Sequence, residues 1–478
     1  MKQVSAGIVE LTATRIFLLV GGFVATLGWK LGNWKADYKI SLPKLSAEEQ
    51  ELVLSVADSF RGETQRKEIA DEKQAAELIK KLLLRSCDEE GIELEKDQIE
   101  YLAHAAFLQT YGLGFLQELL SDQSLEEIAL IGLERPVFVF VRGEGWKRTN
   151  IAVDSQDYFV SLVNRLGRNL GRRLTSQKPR LNAVLEDGSR LHASMPPVSG
   201  CELTIRKFTS EPFSPFSLLS CGTYSARSLA ILSLALQADL SILFAGNTAS
   251  GKTSSLNALL SFVPSSERML LIEETPEISI PHPHQLRLVP FEEGGISMVE
   301  LVRDSLRMRP DRVVVGEVRT PEEARAFVES ALSGQAKGCY STFHAQSSRD
   351  AVLRLKMMGC LASDLEGIDM FVVQRRVSTY DAKKRKVGES RRLTEIAVAN
   401  RDEVERPITL FDGKFFSPKG ITLLLGKISN GTGMSAKETR QELSRREKFL
   451  FYQKKQLGFE KAFSLIQKFM FGLAGADG

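Results

Sequence analysis

The chain has 478 residues, of which 43% are hydrophobic and 26% are charged, and its formal net charge is +3. These are ordinary values for a globular protein of about two to four domains, and the near-neutral balance excludes nucleic-acid binding driven by overall charge. The five cysteines are scattered without a close pair, so the sequence supports neither a disulfide framework nor a zinc site and favours a reducing cytoplasm.

Residues 1–45 form an apolar, variable N-terminal segment. Its longest uncharged stretch, residues 16–29, has 14 residues and three glycines, whereas a membrane-spanning helix needs about 18 to 20 apolar residues. We therefore expect this stretch to pack against the protein, with contact to a membrane surface and a true span as open alternatives. A signal peptide is not expected, because no cleavage site is followed by secreted-type composition.

The next two regions differ in their patterns. Residues 46–115 are charged and helical in pattern, and they predict a helical extension without chemistry of its own. Residues 116–208 combine a strand, a helix and a hairpin around the Asp187-Gly188 turn, which predicts a small α+β domain. Prolines and serines make residues 209–224 the best linker candidate.

From residue 225 to about 400, apolar strands alternate with helices, as in a parallel α/β sheet. Three predicted strands end in polar side chains: one in Glu273 and Glu274, one in Glu317 and one in His344. Because ligands bind beyond the carboxyl ends of such strands, we expect these side chains to share one rim of the sheet.

The loop after the strand at residues 241–245 has the form of a nucleotide-phosphate cradle. It matches G-x-x-x-x-G-K-[ST], in which successive backbone N–H groups surround an anion at the start of a helix. Lys252 would reach the β- and γ-phosphates, and the Thr253 hydroxyl would ligate Mg²⁺. The predicted nucleotide-binding residues are Gly246, Asn247, Thr248, Ala249, Ser250, Gly251, Lys252, Thr253 and Ser254.

The polar rim offers the remaining parts of a phosphoryl-transfer site. Such chemistry needs a metal, a group that orients the attacking water, and cations for the developing charge. We interpret Glu317 as the water-orienting carboxylate, with Glu273 and Glu274 in the Mg²⁺ shell or sharing that work. His344 would contact the γ-phosphate, and a purely structural histidine is the alternative.

Four segments together resemble the secretion and traffic ATPases, the hexameric motors of type II and type IV secretion, type IV pili and the archaeal flagellum. They lie in order at residues 246–253, 272–277, 306–319 and 341–345. In that family these segments are the Walker A motif, the Asp box, the Walker B motif and the His box. The resemblance covers about residues 115–400 of the chain.

This resemblance implies an α/β fold with a RecA-like P-loop ATPase core, a smaller α+β N-terminal domain and helical extensions at both ends. It implies ATP and Mg²⁺ as ligands, with Glu317 as the catalytic glutamate and His344 as the His-box histidine. Thr253, Glu274 and Glu317 would then surround the metal.

Two upstream arginines, Arg190 and Arg206, look like the family's arginine fingers, which movement between domains brings toward the nucleotide. A solvated surface charge is the alternative for each. Two positions depart from the family pattern: Glu274 stands where many relatives have Asp, and Asn182 where an Asp often precedes the hairpin. The sequence lacks the four-cysteine zinc module of bacterial assembly ATPases, which favours the retraction, type IV or archaeal branches. Among these, the charged helical leader and the tail look most like the archaeal branch.

The end of the chain carries a basic hairpin and a helical tail. Residues 370–397 predict two strands around a turn with the sequence Lys-Lys-Arg-Lys at 383–386. This hairpin is either simply solvated or in contact with anionic lipid or an acidic partner loop. Residues 401–478 are predicted to form a C-terminal helical region that caps the core.

The sequence therefore predicts a hexameric ATPase that drives secretion or assembly of a type IV pilus-like or archaeal flagellum-like filament. We expect it in the cytoplasm, peripheral at the inner face of the cell membrane, where it would contact a polytopic membrane platform protein and anionic lipid but no nucleic acid. The main alternative is a RecA-like nucleic-acid translocase, which would need a basic and aromatic pore stripe. A third is a small-molecule kinase, which would need an acceptor site and a lid.

Overall fold

The computed structural model describes most of the chain. The described residues are 18–20, 23–25, 29–31, 34–40, 45–66, 69, 71–168, 171–208, 212–291, 294–382, 386–400, 405–453 and 457–472. The chain divides into two compact units, Met1–Thr209 and Ser210–Gly478. The boundary between them falls at the start of the predicted linker.

The apolar stretch at residues 16–29 is described only in part. Its described backbone consists of two short paired strands, β1 (Leu18–Val20) and β2 (Phe23–Ala25), and the first residue of β3 (Trp29–Leu31). The rest of the stretch lies outside the described residues. Across the part of the chain that is described, no helix is both long enough and apolar enough to cross a bilayer.

Three described helices form the first part of the N-terminal unit: α1 (Ala47–Arg66), α2 (Glu72–Glu90) and α3 (Lys96–Thr110). Asp71 caps the start of α2 by accepting a hydrogen bond from the Gln74 N–H, and Gly91 ends the helix with a positive φ of 69°. Apolar side chains at helical spacing pack the three helices around one core. This core includes Val56, Ile79, Leu83, Leu102 and Ala106.

An antiparallel sheet of seven described strands forms the rest of this unit, in the order β3-β6-β5-β4-β9-β8-β7. Helices α4 and α5 pack on it through a shared apolar core. The elements are α4 (Phe115–Ser121), β4 (Leu125–Leu130), β5 (Pro136–Val141), β6 (Gly145–Val153), α5 (Gln156–Leu166), β7 (Arg180–Val184), β8 (Arg190–Ser194) and β9 (Glu202–Arg206).

The C-terminal unit alternates helices and strands, as its sequence predicts. Its elements are α6 (Pro215–Ser220), α7 (Ala226–Gln237), β10 (Ile242–Gly246), α8 (Lys252–Leu259), β11 (Met269–Ile272), β12 (Gln285–Leu288), α9 (Met298–Ser305), β13 (Arg312–Val318), α10 (Pro321–Leu332), β14 (Gly338–His344), α11 (Ser348–Met357), β15 (Met370–Asp381), β16 (Lys386–Val398), β17 (Ile408–Phe411), α12 (Pro418–Thr432), α13 (Ala436–Tyr452) and α14 (Phe459–Phe471).

Eight described strands of this unit form one sheet, in the order β12-β11-β13-β14-β10-β15-β16-β17. The pairs from β12 to β15 are parallel, and β16 and β17 continue the sheet in antiparallel fashion. Strand β17 lies at residues 408–411, so the sheet runs past residue 400, the predicted end of the α/β region. The carboxyl ends of the parallel strands share one edge. The phosphate loop, Glu317 and His344 lie at this edge.

Helices cover both faces of this sheet. Along β10, Ile242 and Phe244 are buried in one apolar core, while Leu243 and Ala245 are buried in the other. This alternation follows from the period of two along a strand, and it gives a nearly continuous apolar run when both faces are covered. The fold is therefore a mixed α/β P-loop type, with a smaller sheet domain before it and helices at both ends.

The amino-terminal edge of the same sheet holds a buried ionic cluster. Arg312, at the start of β13, is 1% exposed and donates hydrogen bonds to Asp239 (2.6 Å), Glu267 (2.6 Å) and the Tyr340 hydroxyl (3.0 Å). Lys337 adds a second cation beside Glu267 at 2.8 Å. A buried guanidinium is stable only when its donors are satisfied, and here the carboxylates and the hydroxyl satisfy them.

The helical tail packs into the core through both apolar and polar contacts. Helix α14 buries the apolar face that its sequence predicts, including Phe463 and Ile466. The buried Gln467 amide donates to the carbonyls of Ser261 (2.9 Å) and Val263 (2.8 Å) and accepts from the Ser265 N–H (2.9 Å). These backbone groups lie in and after the short 3-10 turn that follows α8, so α14 satisfies polar groups of the segment that leaves that helix.

Candidate functional site

The phosphate loop connects β10 to α8 in the predicted place. Gly246 ends the strand, residues 247–250 form the turn, and Lys252 begins the helix. Ala249 and Gly251 have positive φ values of 59° and 89°. A Cβ on Gly246 would lie 2.0 Å from the Gln374 carbonyl oxygen, so no larger residue fits there. This backbone is the left-handed, glycine-dependent turn that anion cradles use.

Several side chains of the loop suit a bound phosphate chain. The buried Ser250 Oγ has no hydrogen-bond partner among the described residues. Lys252 is 8% exposed, and its Nζ donates to the carbonyls of Gly246 and Asn247, both at 3.3 Å. Thr253 is partly exposed and Thr248 and Ser254 are exposed. The residues present therefore fit a nucleotide phosphate group, with Lys252 next to the loop and Thr253 accessible to a metal.

Strand pairing brings the rim residues next to this loop. Gly246 on β10 pairs with His344 on β14, and Thr342 on β14 pairs with Glu317 on β13. The register shifts at Gly316, where the Thr342 hydroxyl donates to the Gly316 carbonyl at 2.7 Å. This bulge re-aims the end of β13, which is a common way for a sheet to present a functional side chain.

Glu317 has both carboxylate oxygens engaged. Its Oε1 lies 2.8 Å from His344 Nε2, and its Oε2 accepts a hydrogen bond from Arg319 Nε at 2.7 Å and lies 2.6 Å from Arg319 Nη2 in the same ion pair. Arg319 also forms an ion pair with Glu274. The sequence did not identify Arg319 as a site residue, although its place two residues after Glu317 puts both on the same side of the strand end.

The surroundings of His344 shift its pKa. Burial, and then the positive charge of Lys252, lower its pKa below the ordinary 6.5, while Glu317 raises it. The imidazole Nε2 faces Glu317 Oε1 at 2.8 Å, so the ring lies against the carboxylate and limits its orientations. The lowered pKa favours the neutral ring in this contact.

Glu273 occupies a different environment from Glu274. Its carboxylate is 2% exposed, Oε1 accepts from the backbone N–H groups of Glu277 and Ile278 at 2.9 Å each, and Oε2 lies 3.3 Å from Arg287 Nε. Burial raises its pKa. These contacts brace the turn after β11, and they give no support to a place in the metal shell, which stays a prediction for Glu273. Glu274, by contrast, is 54% exposed.

The metal assignment rests on Thr253, Glu274 and Glu317. No group of three or more His, Cys, Asp or Glu side chains is arranged to hold a metal ion within the described ranges. Mg²⁺ commonly binds through one or two protein oxygens together with substrate phosphates and water, and the Thr253 hydroxyl and the Glu274 and Glu317 carboxylates are oxygens of this kind.

The two finger candidates lie side by side in the N-terminal unit. Arg190 on β8 pairs directly with Arg206 on β9, and Arg206 pairs on its other side with Glu127 on β4. Residues paired in this way project from the same face of the sheet, so the two guanidinium groups share one face. Their approach to a nucleotide stays a prediction.

The sequence also missed the contacts that hold the back of the loop. Gln374 on β15 donates its Nε2–H to the Ser250 carbonyl at 2.6 Å, and Arg391 on β16 donates from Nε to the Ala249 carbonyl at 3.1 Å. The Asn247 amide pairs with the backbone of Arg376 at 2.9 and 3.3 Å. The basic composition of the hairpin was visible in the sequence, but its place beside the loop depends on the order of the strands.

Comparison with known proteins gives a consistent picture. Residues 167–412 match the family model described as Type II/IV secretion system protein. The chain is 35% identical over 268 residues to the uncharacterized protein MJ0900 of Methanocaldococcus jannaschii, a match that covers 55% of this chain and 47% of that protein. It is 33% identical over 275 residues to the type IV secretion system protein PtlH of Bordetella pertussis, covering 51% of this chain and 80% of that protein.

Solved structures are also similar, at lower identity. The ATPase DotB of Legionella pneumophila is 20% identical, with a TM-score of 0.44 over 74% of this chain and 94% of that one. The chain spans about half the length of MJ0900. The activity of this chain is therefore inferred from the geometry of its site.

Proposed function

The chain belongs to the type II/IV secretion system protein family, whose model matches more than half of its residues, and on this premise we propose that it is a Mg²⁺-dependent ATPase. The observation that carries the proposal is the pairing of Gly246 with His344, which joins the phosphate loop to the Glu317–His344 pair at one rim. A phosphate cradle next to an oriented carboxylate is the arrangement that hydrolysis of a nucleoside triphosphate requires.

Each residue of the rim has a task in this proposal. The loop N–H groups and Lys252 bind the phosphates, and Thr253 and Glu274 hold the metal together with Glu317. When bound, Mg²⁺ supplies positive charge against the phosphate oxygens. Glu317 orients the attacking water by accepting its hydrogen bond, and neutral His344 fixes the carboxylate in position. Arg190 and Arg206 of an adjacent copy would supply the cations for the charge that develops.

We propose that the energy of hydrolysis drives secretion, or assembly of a type IV pilus-like or archaeal flagellum-like filament. The proposed assembly is a homohexamer in the cytoplasm, peripheral at the inner face of the cell membrane, on a polytopic membrane platform protein and with anionic lipid nearby. Membership in this family does not favour the nucleic-acid translocase. The M. jannaschii relatives and the missing zinc module support the archaeal branch.

The test combines oligomer size with two variants. With a non-hydrolysable ATP analogue, sizing of the wild-type chain should show a closed ring of about six subunits. Lys252→Ala should lose both nucleotide binding and hydrolysis. Glu317→Gln should keep nucleotide binding and lose hydrolysis by about 100-fold or more, because the water loses its orienting carboxylate.

Glu329→Gln is the matched control, because Glu329 is an exposed carboxylate on α10 of the same unit. Its hydrolysis rate should equal that of the wild type. The proposal fails if the wild-type chain binds no ATP, or if Glu317→Gln and Glu329→Gln hydrolyse ATP equally fast.

A further inference from the structure

The basic hairpin of β15 and β16 forms the back wall of the phosphate loop. Its described part runs beside β10, and three of its residues contact three of the four residues of the turn: Arg376 at Asn247, Arg391 at Ala249 and Gln374 at Ser250. The sequence alone left this hairpin as either a solvated surface or a surface for anionic lipid. These contacts indicate that part of the hairpin supports the phosphate loop.

The contacts to Ala249 and Ser250 are made to carbonyl oxygens. In an anion cradle the N–H groups must face the anion, so the carbonyls of the same turn must face away and find other donors. The Gln374 amide holds the Ser250 carbonyl, and Gln374 is itself fixed by the hydroxyls of Ser255 and Tyr224. The Arg391 guanidinium holds the Ala249 carbonyl.

Ala249 is the position where this support matters most. It is not a glycine, yet its φ is 59°, a left-handed conformation that costs free energy in an L-residue. A charged donor on its carbonyl stabilises that conformation more than a neutral donor would. Arg391 is also close to the next turn, because a Cβ on Gly251 would lie 3.5 Å from Arg391 Cδ.

The strand register shows which arginines of the hairpin project from the same face as Arg391. Arg391 pairs with Arg376, whereas Arg392 pairs with Arg375, and successive residues of a strand project from opposite faces. The Arg376 guanidinium pairs with Glu389, so Arg376 serves the loop through its backbone. Arg375 and Arg392 therefore project from the face opposite the loop contact of Arg391, and Arg392 is exposed there.

We propose that Arg391 is a positioning residue of the nucleotide site: it holds the Ala249 carbonyl away from the phosphates and keeps the loop in its anion-binding conformation. Its positive charge behind the loop also favours an anionic ligand. The inference rests on the proposed function, because it names a further residue that sets affinity at the same site. It also divides the basic hairpin into a face for the nucleotide and a face for solvent or a partner.

The test compares Arg391→Met with Arg392→Met, two neighbouring charge removals on opposite faces of one strand. Calorimetric titration with ADP should show affinity about tenfold weaker for Arg391→Met, from loss of a charged hydrogen bond to the loop, and within about twofold of wild type for Arg392→Met. In steady-state hydrolysis, Arg391→Met should raise KM for ATP more than it lowers kcat. Arg391→Lys, which keeps a charged donor, should restore part of the affinity.

A second measurement separates positioning from folding and from a lipid surface. The urea midpoints of the two Met variants should agree, and a selectively low midpoint for Arg391→Met would overturn the proposal in favour of a structural role. Equal ADP affinity in the two variants would also overturn it, whether or not both lose binding to phosphatidylglycerol vesicles. A wild-type chain that binds no ADP would instead contradict the proposed function, and the inference with it.

Discussion

Strand β13 has an arginine cluster at each end, and the two clusters differ mainly in burial. At its start, Arg312 is 1% exposed and holds Glu267, 12% exposed, and Asp239, 39% exposed. Just beyond its other end, Arg319 is 44% exposed and holds Glu274, 54% exposed, and Glu317, 22% exposed. Each arginine pairs with two carboxylates, but only the second cluster lies beside the phosphate loop.

Burial decides what each cluster can do. Arg312 cannot leave Glu267 without stranding two charges away from water, so this pair is fixed, whereas Asp239 stays in contact with solvent. At the half-exposed rim, water and ions can replace each partner at little cost, so the Arg319 pairs can exchange. One arginine with two carboxylates therefore forms a rigid cluster at the start of β13 and a cluster with exchangeable ion pairs beyond its end.

The largest effect is expected for Arg312→Met, which leaves Glu267 and Asp239 without their main cation. Removal of one partner of a buried pair costs about 3 to 5 kcal/mol. Because Asp239 is 39% exposed and Lys337 stays beside Glu267, we expect the free energy of unfolding to fall by about 3 kcal/mol, the lower end of this range, in urea titration. Adding Glu267→Gln to Arg312→Met should recover part of the loss. A decrease below about 1 kcal/mol for Arg312→Met would show that the cluster is not a fixed ionic core.

A smaller effect is expected for Arg319→Gln. The free energy of unfolding should change by no more than about 1 kcal/mol, because the pairs are partly solvated. Binding of Mn²⁺ in the presence of a non-hydrolysable ATP analogue should become tighter, by up to about fivefold, since a competing cation is removed from Glu274 and Glu317. Electron paramagnetic resonance of free Mn²⁺ measures this affinity.

Arg325→Gln is the control for that measurement, because Arg325 pairs with Glu322 on the surface of α10. It should leave Mn²⁺ binding unchanged. Weaker Mn²⁺ binding in Arg319→Gln than in this control would mean that Arg319 arranges the two carboxylates for the metal and does not compete with it.

The smallest expected effect is on the pKa of His344 and on the pH dependence of stability that follows from it. Burial and Lys252 lower this pKa, and Glu317 raises it. Because the folded pKa is below the unfolded value, the unfolded chain binds the proton more readily, and stability is lost as pH falls from about 6.5 toward the folded pKa. NMR titration, with the signal assigned through His344→Gln, should show a higher pKa in Lys252→Met and a lower one in Glu317→Gln. A His344 pKa that does not respond to either change would separate this ring from the rim cluster.

The sequence predicts those site residues whose positions follow from a short motif or from the end of a single strand. Lys252 and Thr253 follow from a loop motif between a strand and a helix, and Glu317 and His344 follow from their places at strand ends. Their adjacency needed only the rule that parallel strands share a carboxyl edge. The N-terminal helices were equally visible, because their apolar spacing is local.

Other features depended on which strands are neighbours, and the sequence does not state that order. Arg391 meets Ala249 only because β15 lies next to β10 and β16 next to β15. The local pattern gave both Glu273 and Glu274 a place at the rim, although adjacent residues at a strand end project to opposite sides. One of them had to turn inward, and only the packing around Arg287 shows that it is Glu273.

The three hydrogen bonds of Gln467 have a mechanical consequence. They attach α14 to the chain at Ser261, Val263 and Ser265, immediately after the helix that begins with Lys252. A displacement of the tail would therefore have to break these bonds or move the segment that leaves the phosphate-loop helix. The C-terminal tail is thus mechanically coupled to the helix that Lys252 begins.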